Sequence, residues 1–576
     1  MKKLLMVGAF VILALPVCAK TYYVDGINAK ASDKNPGTAA APWKTIARAG
    51  SASELKPGDT VLISSGVYRE TASIKVSGEP GKPITFAAAP NAKVVIKGSE
   101  IIKGPWTRCG DEKGFLEPFK FAARRLWKIK LGDEFFTDAR FPGCYDDKAR
   151  RWVSQVFIDD DHPLQMIGQD GIYKPDQFDM MVNIGKGVGD MIPQSFFWDV
   201  KEQTLYLDIG GDPGWYCIEV GVRGFALTAE KAHDVVIRGL EMRHNRQPGG
   251  QWPLVSINSC ERVVMEDCRV YWADFCGMSL GSSKNCVLRR CDFSNNGAIG
   301  LALGLTEDCT VEDCTMLFNN YRHFYGDWGV AAGTKNIPDN KRTTIQRCEV
   351  AYNTEAEGIW FDTGNSDLRL FDNICHDNGD CGIMTEANPS GIIAGNLVYG
   401  NHGRGIYISG THDTWAVHNT VVENASGIVA MTRAAGELPR NVRVLNNLFV
   451  RNYVYGDTVT RGSDLTLEAP IDPATRAEWR SIADYNVYAN NSWVPFMRHN
   501  WNDNNTLEQW QQKFGHDLQS RQRPIAYERV GTSFRLLTKT GLDVAGPLPE
   551  AVTRLWKPKN PRRVGCDRTA WMCDAK

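Results

Sequence analysis

Asparagines recur through the middle of this chain at a spacing near 23 residues, and this spacing constrains the fold more than any other feature. The series is Asn296, Asn319, Asn353, Asn378, Asn401, Asn424 and Asn452. A period this short, with brief apolar alternations and no long helical pattern, predicts an all-β solenoid of the parallel β-helix type. Inward asparagines stacked along such a solenoid bond to one another, which satisfies amides that are costly to bury.

A second repeat gives the register of one strand in each coil. Two of its units, residues 358–362 and 382–386, end in an acid four residues after a glycine. In consecutive coils the backbones of Asp362 and Glu386 would lie about 4.8 Å apart, the spacing of hydrogen-bonded strands. Retaining glycosidases hold two carboxyl groups about 5–5.5 Å apart. The register therefore predicts a catalytic pair, and the alternative is two solvated surface acids at strand ends.

Alternation along these strands predicts which side chains face outward beside the two acids. Aromatic rings next to acids suit sugars, which offer CH faces for stacking and hydroxyls for hydrogen bonding. We expect a surface groove lined by Trp360, Tyr407 and the two carboxylates. One unit carries an insertion just upstream, and insertions on one face of a solenoid often form its binding site. Further candidates for substrate contact are His323, Asp327 and Trp328 in that insertion, and His412 after the Tyr407 strand.

Composition and the presence or absence of the coil repeat divide the chain into five segments. A basic start, an apolar stretch and a small-residue cleavage site predict a secretory signal at the N-terminus. The coil rhythm disappears from about residue 100 and resumes near residue 223. We assign 1–19 to the signal peptide, 20–99 to an N-terminal cap and the first coils, 100–222 to an inserted β-sandwich-like domain, 223–455 to the β-helix with the candidate site, and 456–576 to the final coils and a C-terminal cap or tail.

The signal predicts export to the periplasm or the extracellular space. Anchoring as a lipoprotein through Cys18 is the alternative, although Pro16 and Val17 fit a lipobox poorly. No later stretch of the sequence is long and apolar enough to predict a membrane span. The formal net charge of −1 and the pI near 6.8 argue against a nucleic-acid partner.

The cysteine pattern predicts packing and no metal site. Four cysteines occupy equivalent positions in successive coils, and we expect them to point inward as free thiols that act as small hydrophobes. They are Cys268, Cys291, Cys314 and Cys348. The sequence has no C-x-x-C pair, so the pattern gives no reason to predict a metal or another cofactor.

The run Gly-Ile-Trp-Phe-Asp at 358–362, followed by Glu-Ala-Asn at 386–388, resembles the active-site segment of glycoside hydrolase family 120. The resemblance implies a right-handed parallel β-helix with an inserted β-sandwich, and a β-xylosidase-like activity on plant cell-wall or algal saccharides. It implies that Asp362 is the nucleophile, that Glu386 is the acid/base and that Asn388, beside the acid, contacts the substrate.

The insert carries a second part of the same resemblance, at residues 138–142, and it implies that Arg140 and Phe141 reach the groove. The sequence departs from the family after Asp362 and again after Asn388, where Pro389 follows. Glycoside hydrolase family 141, which has the same architecture and includes fucosidase and xylanase activities, is a close rival.

Two other classes of function stay open. Many β-helices are polysaccharide lyases, and Lys335 or Arg404 would then serve as the base, although no acidic cluster resembles a calcium cage. The second alternative is a solenoid that binds carbohydrate without catalysis, since a fold this permissive does not dictate function.

Overall fold

The computed structural model shows an all-β chain that forms a parallel β-helix of three sheets, here named A, B and C, with a two-sheet unit inserted between the early coils. The predicted solenoid fold is confirmed. Each coil passes from sheet A to sheet C to sheet B, and each strand pairs in parallel with its equivalent in the next coil. The structure describes residues 19–109, 126–136, 151–168, 185–246, 252–324, 330–433, 436–452, 462–470, 479–489, 497–498, 505–530, 533–538 and 540–567.

Sheets A and B each run the length of the solenoid. Sheet A has thirteen strands, Thr21–Val24, Thr60–Ile63, Ile84–Ala88, His233–Arg238, Glu261–Glu266, Val287–Arg289, Thr310–Glu312, Thr344–Gln346, Leu368–Phe371, Gly391–Ala394, Thr414–Val417, Arg443–Leu445 and Ile482–Asp484. Sheet B has twelve, Ala72–Ile74, Leu227–Glu230, Pro253–Asn258, Cys276–Gly281, Ile299–Gly304, Ala332–Asn336, Glu357–Asp362, Ile383–Glu386, Arg404–Ser409, Ser426–Met431, Leu465–Leu467 and Met497–Arg498.

Sheet C comes in two pieces, which isolated bridges through Asp292 connect. The first piece contains Gly66–Tyr68, Val94–Lys97, Leu240–Arg243 and Arg269–Tyr271. The second contains Thr315–Leu317, Glu349–Ala351, Ile374–His376, Leu397–Tyr399, Thr420–Val422, Leu448–Val450, Val487–Ala489 and Arg521–Arg523.

The predicted asparagine ladder lies inside the solenoid, where all seven side chains are fully buried. Each amide nitrogen donates to the amide oxygen of the next coil, for example from Asn378 to Asn401 at 2.9 Å and from Asn401 to Asn424 at 2.8 Å. The ladder ends where Asn452 donates to Asp464 Oδ1 at 2.9 Å. Because every turn repeats these bonds, the ladder sets the register of each strand that follows it.

The predicted cysteine stack is also inside. Cys268, Cys291, Cys314 and Cys348 are all buried, and the backbone N–H of Cys291 donates to Cys314 Sγ at 3.4 Å. All four belong to the hydrophobic core of the solenoid, so the stack behaves as apolar filling. Burial raises the pKa of the Cys268 thiol well above its ordinary value.

The inserted unit packs two sheets over one apolar core. One sheet contains Ser99–Ile101, Val156–Ile158, His162–Pro163 and Ile218–Gly221; the other contains Thr107–Arg108, Trp127–Lys130, Gln165–Met166, Ser195–Asp199 and Thr204–Asp208. Val156 and Val220 of the first sheet share this core with Trp198 and Leu205 of the second. Packing of two sheets face to face is the arrangement of a β-sandwich. Short 3₁₀ turns lie at Asp133–Phe136, Val188–Asp190 and Pro213–Trp215.

Helices cover the two ends of the solenoid. The first, Ile46–Gly50, begins at Thr45, whose side chain accepts a bond from the Arg48 backbone. The second, Leu507–Phe514, begins with the capping box between Thr506 and Gln509. The remaining elements are a helix at Glu550–Thr553 and a hairpin of Tyr527–Val530 with Ser533–Leu536. Among the described residues, no helix has the length and apolar character required to cross a membrane.

Candidate active site

Asp362 and Glu386 lie side by side at the exit of sheet B. Each is the last residue of its strand, and the two strands pair in register with Asp362 opposite Glu386. Backbones in this relation lie about 4.8 Å apart. The two side chains retain 20% and 16% of their accessible surface, so solvent reaches both. The predicted juxtaposition of the two acids is present in the structure.

A lysine from the preceding coil lies against the Trp360 ring and close to Asp362. Lys335 pairs in register with Trp360, and its ammonium lies 3.4 Å from the centre of the Trp360 ring. The same Nζ lies 4.0 Å from Asp362 Oδ2. Burial lowers the pKa of the Lys335 ammonium, and the nearby Asp362 carboxylate opposes that shift.

Trp360 therefore does not present the open ring that strand alternation predicts. Its side chain points outward, but only 4% of the residue is accessible. Lys335 covers the ring, so a sugar can stack on Trp360 only after the lysine moves. The expectation of an exposed stacking platform at Trp360 is wrong, because alternation gives the direction of a side chain and not what covers it.

An arginine from a later turn contacts the second acid. Arg433 Nε donates to Glu386 Oε1 at 2.8 Å, and Arg433 also lies 3.7 Å from Glu437. Asp362 Oδ1 accepts a bond from Thr363 Oγ1 at 2.8 Å. Asp362 and Glu386 thus each have a cation beside them at this end of sheet B, Lys335 for the first and Arg433 for the second.

The opposite end of the same strand holds a further acid. Burial, reinforced by the negative charge of Asp380, raises the pKa of Glu357 to about 8. Glu357 begins the strand that Asp362 ends, so five residues, about 16 Å, separate them. That distance exceeds the separation in either class of two-carboxylate glycosidase, so Glu357 is not a direct partner of Asp362.

The other predicted contact residues occupy different positions. Tyr407 is half-buried on the outer face of sheet B, with the Arg404 guanidinium 4.2 Å from its ring centre. His412 lies at the same end as the acids, where its Nδ1 accepts a bond from the Arg440 backbone at 3.2 Å. His323 lies on the turn that enters sheet B, 3.5 Å from Glu355, and is a strand length away from Asp362.

Asn388 does not line the groove. It is 1% exposed and belongs to a third inward ladder, in which its Oδ1 accepts from Asn365 Nδ2 at 3.0 Å. Its own Nδ2 donates to the Phe361 carbonyl at 2.9 Å. The expectation that Asn388 contacts substrate is wrong, because the amide oxygen and the amide nitrogen of Asn388 both form hydrogen bonds inside the solenoid. Arg140, Phe141, Asp327 and Trp328 lie outside the described residues.

One cluster of described residues has the composition of a metal site. Asp160, Glu219 and His244 bring their ligand atoms within 4.8 Å of one another. The Lys97 ammonium lies 2.5 Å from Asp160 Oδ1 and 2.9 Å from Glu219 Oε1, where it supplies the positive charge that a cation would bring. This donor set fits a buried ion-pair network better than a metal site.

Sequence reasoning missed one charged neighbour of the acids, Arg433, and considered the other, Lys335, only as a possible lyase base. Lys335 follows Gly333 by two residues, as Trp360 follows Gly358, so the repeat contained the signal that these two side chains are adjacent. Arg433 lies just beyond the strand Ser426–Met431, and no repeat marks it. Its long side chain reaches back to Glu386, which spacing alone does not predict.

Comparisons with known proteins agree with this architecture. A family model described as "Right handed beta helix region" matches residues 224–365 and 329–469. The solved structure "The complex structure of XylC with xylose" aligns over 90% of this chain and 89% of its own, at 17% identity and a TM-score of 0.61. These matches establish a right-handed β-helix.

Two further matches are more distant or shorter. A structure named "Glycoside hydrolase" covers 77% of this chain and 98% of its own, at 14% identity and a TM-score of 0.44. The "Uncharacterized protein YwoF" of Bacillus subtilis (strain 168) is 41% identical over 75 residues, 13% of this chain. That alignment spans only 16% of the length of YwoF.

Proposed function

We propose that this protein is a retaining glycoside hydrolase whose catalytic pair is Asp362 and Glu386. The observation that carries the proposal is their register, because side-by-side placement at the ends of adjacent strands matches the short carboxyl separation of retaining enzymes. Both acids are partly accessible at one end of an outer sheet face, where a glycosidic bond can approach them.

The reaction proceeds in two displacements. A carboxylate oxygen of Asp362 attacks the anomeric carbon while Glu386 gives its proton to the departing glycosidic oxygen, which leaves as an alcohol. Glu386 then takes a proton from water, the resulting hydroxide attacks the same carbon, and the Asp362–sugar bond breaks. Arg433 contacts Oε1 of Glu386, so Oε2 is the oxygen that carries the transferred proton.

The neighbouring cations have distinct roles in this scheme. Lys335 Nζ, 4.0 Å from Asp362 Oδ2, pairs with the carboxylate that attacks. Arg433 orients Glu386 through the bond to Oε1. The sugar would bind over Met384 and Tyr407, on the part of the outer face beside these acids.

A β-xylosidase-like activity on plant cell-wall or algal saccharides is the specific form that we propose. Support comes from the residues that resemble glycoside hydrolase family 120 and from the shared architecture of XylC, whose structure contains xylose. A fucosidase or another family 141-like activity is the alternative within the class. Action after export follows from the signal-like N-terminus and belongs to the same proposal.

The test is a screen of purified protein against nitrophenyl glycosides and cell-wall or algal oligosaccharides. Asp362→Asn and Glu386→Gln should each reduce release by several orders of magnitude, because each removes a group that makes or breaks a bond. Asp367→Asn, an exposed acid on the following turn, is the matched control and should retain full activity. Azide should partly rescue Asp362→Ala and Glu386→Ala by replacing the missing group. Equal activity in wild type and Asp362→Asn would refute the assignment.

A polysaccharide lyase is the second candidate, and the observation that favours it is Lys335. Burial lowers the pKa of this lysine, which suits a base that removes a proton from carbon beside a uronate. Elimination would break the glycosidic bond and leave a double bond that absorbs in the ultraviolet. Such absorbance, lost in Lys335→Met but kept in Asp362→Asn, would replace the hydrolase proposal. Binding without either reaction would indicate a carbohydrate-binding solenoid.

A further inference from the structure

A separate cavity of about 430 Å³ lies where the inserted unit meets the solenoid. The insert contributes most of its wall, including Gln165 and Gln194, and the solenoid contributes Trp272, Tyr321 and Arg322. Cavities of a few hundred Å³ with aromatic walls and a few polar groups are typical of small-molecule sites. None of these residues belongs to the carboxylate site described above.

Two aromatic side chains form a corner of this cavity. The Trp272 and Tyr321 ring planes are 77° apart, with centroids separated by 5.3 Å. Gln155 holds the corner in place, because its Nε2 donates to the Tyr321 hydroxyl at 2.6 Å and to the Trp272 carbonyl at 3.1 Å. Trp272 Nε1 also donates to Asp161 at 3.2 Å. The corner is therefore preorganised, which reduces the entropy lost on binding.

The charge in the cavity wall is already matched. Arg322 pairs with the buried Asp274 carboxylate, and its Nη1 donates to the Asp274 carbonyl at 3.2 Å. Ser154 Oγ donates to the second carboxylate oxygen of Asp274. An anionic ligand would have to compete with Asp274 for the guanidinium, so the wall favours a neutral ligand.

The polar groups near the opening are amides. Gln165 is half-buried and Gln194 is exposed, and both line the cavity. Each amide offers donors and an acceptor, which is the set that sugar hydroxyls require. A saccharide ring combines an apolar face for the Trp272–Tyr321 corner with hydroxyls for these amides.

The cavity is distant from Asp362. Trp272 and Tyr321 lie on the turns that enter sheet B, whereas Asp362 lies at the exit. The strand length places about 16 Å between entry and exit, and one to three coils add about 5–14 Å along the axis. A ligand in the cavity therefore does not contact the carboxylate pair when it occupies one or two sugar units.

We infer that this cavity is a second carbohydrate site, which binds a neutral oligosaccharide through the Trp272–Tyr321 corner and the Gln165 and Gln194 amides. The inference does not depend on hydrolysis at Asp362. The site would hold a saccharide chain at the junction between insert and solenoid while the carboxylate end of sheet B remains free.

The experiment is calorimetric titration of the Asp362→Asn protein with xylobiose and cellobiose, and with digalacturonate as the anionic comparison. We expect binding of at least one neutral probe, weakened at least tenfold by Trp272→Ala. Trp215→Ala, which removes a tryptophan that is 78% exposed on the insert and outside the cavity, is the matched control and should change nothing. Gln165→Ala should also weaken binding, and it leaves the aromatic corner and its fold intact.

The outcomes separate this inference from the proposed function. If the carboxylate site also binds the probe, Trp272→Ala removes one of two binding events; if it does not, Trp272→Ala removes the single event. No heat with either neutral probe, equal affinity in all variants that remain folded by thermal melting, or tighter binding of digalacturonate would overturn the inference. Loss of turnover in Asp362→Asn has no bearing on it.

Discussion

Asp464 ends the asparagine ladder with a carboxyl group in a fully buried position, and Asp464→Asn is expected to stabilise the protein. Its Oδ1 accepts both the side-chain and the backbone N–H of Asn452, at 2.9 and 3.3 Å. Asparagine at this position keeps the accepting oxygen, as every earlier coil of the ladder does. The substitution therefore removes a buried negative charge and preserves the register.

The magnitude follows from the pKa of this group. Burial raises the pKa of Asp464 from its ordinary 3.8 to about 6. The carboxyl is protonated in both the folded and the unfolded states at pH below 3.8, so it costs no stability there. As the pH rises through this interval, the unfolded state loses its proton first, and stability falls until the pH passes about 6. The difference between a pKa of 3.8 and one of about 6 corresponds to about 3 kcal/mol at neutral pH.

Urea unfolding followed by circular dichroism, across a pH series from 3 to 8, measures this difference. Asp464→Asn should match wild type at the acid end and exceed it by about 3 kcal/mol at pH 7. Asp267→Asn is the opposite-sign control, since the bond from Arg290 lowers the pKa of Asp267 and its loss should destabilise at neutral pH. A gain that is the same at pH 3 and pH 7, or no gain at either, would refute the electrostatic reasoning.

Three further outcomes follow from the same contacts. Asn401→Ala should lower the free energy of unfolding by about 3–6 kcal/mol in urea titrations, because it leaves the buried Asn378 amide without an acceptor and creates a cavity. At low pH, Asn401→Asp should lower the free energy of unfolding by less than Asn401→Ala does. Arg433→Met should reduce kcat/KM by about tenfold or more, with an unchanged melting temperature, because Glu386 loses its orienting bond. Glu357→Gln should reduce the fall in stability that wild type shows between pH 4.5 and about 8, most clearly above pH 6 where Asp464 is already ionised, measured by thermal melting across that range.

The repeat predicted the fold because the stacking of coils is a one-dimensional problem. Once asparagines recur at one position per coil, each must meet its equivalent in the next coil, and the 34-residue gap between Asn319 and Asn353 only lengthens a loop. The same logic predicted that Asp362 faces Glu386, since both follow a glycine of the repeat by four residues. The repeat pattern therefore predicts the strand register without knowledge of any side-chain conformation.

The register of the strands does not predict how far a long side chain reaches or which group it contacts. The repeat locates Lys335 and Trp360 at the same position of adjacent coils, but it does not say that the lysine folds over the ring. Arg433 lies beyond the end of its strand and reaches Glu386 across the groove. The partners of long, flexible lysine and arginine side chains depend on the local charge and burial around them. Both properties are set by the packed structure as a whole.

Asn388 shows how a residue beside a site serves it without touching a ligand. Its amide donates to the Phe361 carbonyl, and Asn365, the next member of that ladder, donates to the Asp362 carbonyl at 2.9 Å. The turn after each acid is thus fixed from inside the solenoid, where no solvent competes. The mechanism proposed above needs a short and constant separation between Asp362 and Glu386, and a ladder of buried amides provides it more rigidly than surface contacts. The resemblance implies a substrate contact for Asn388, and the structure instead gives this residue a supporting role inside the solenoid.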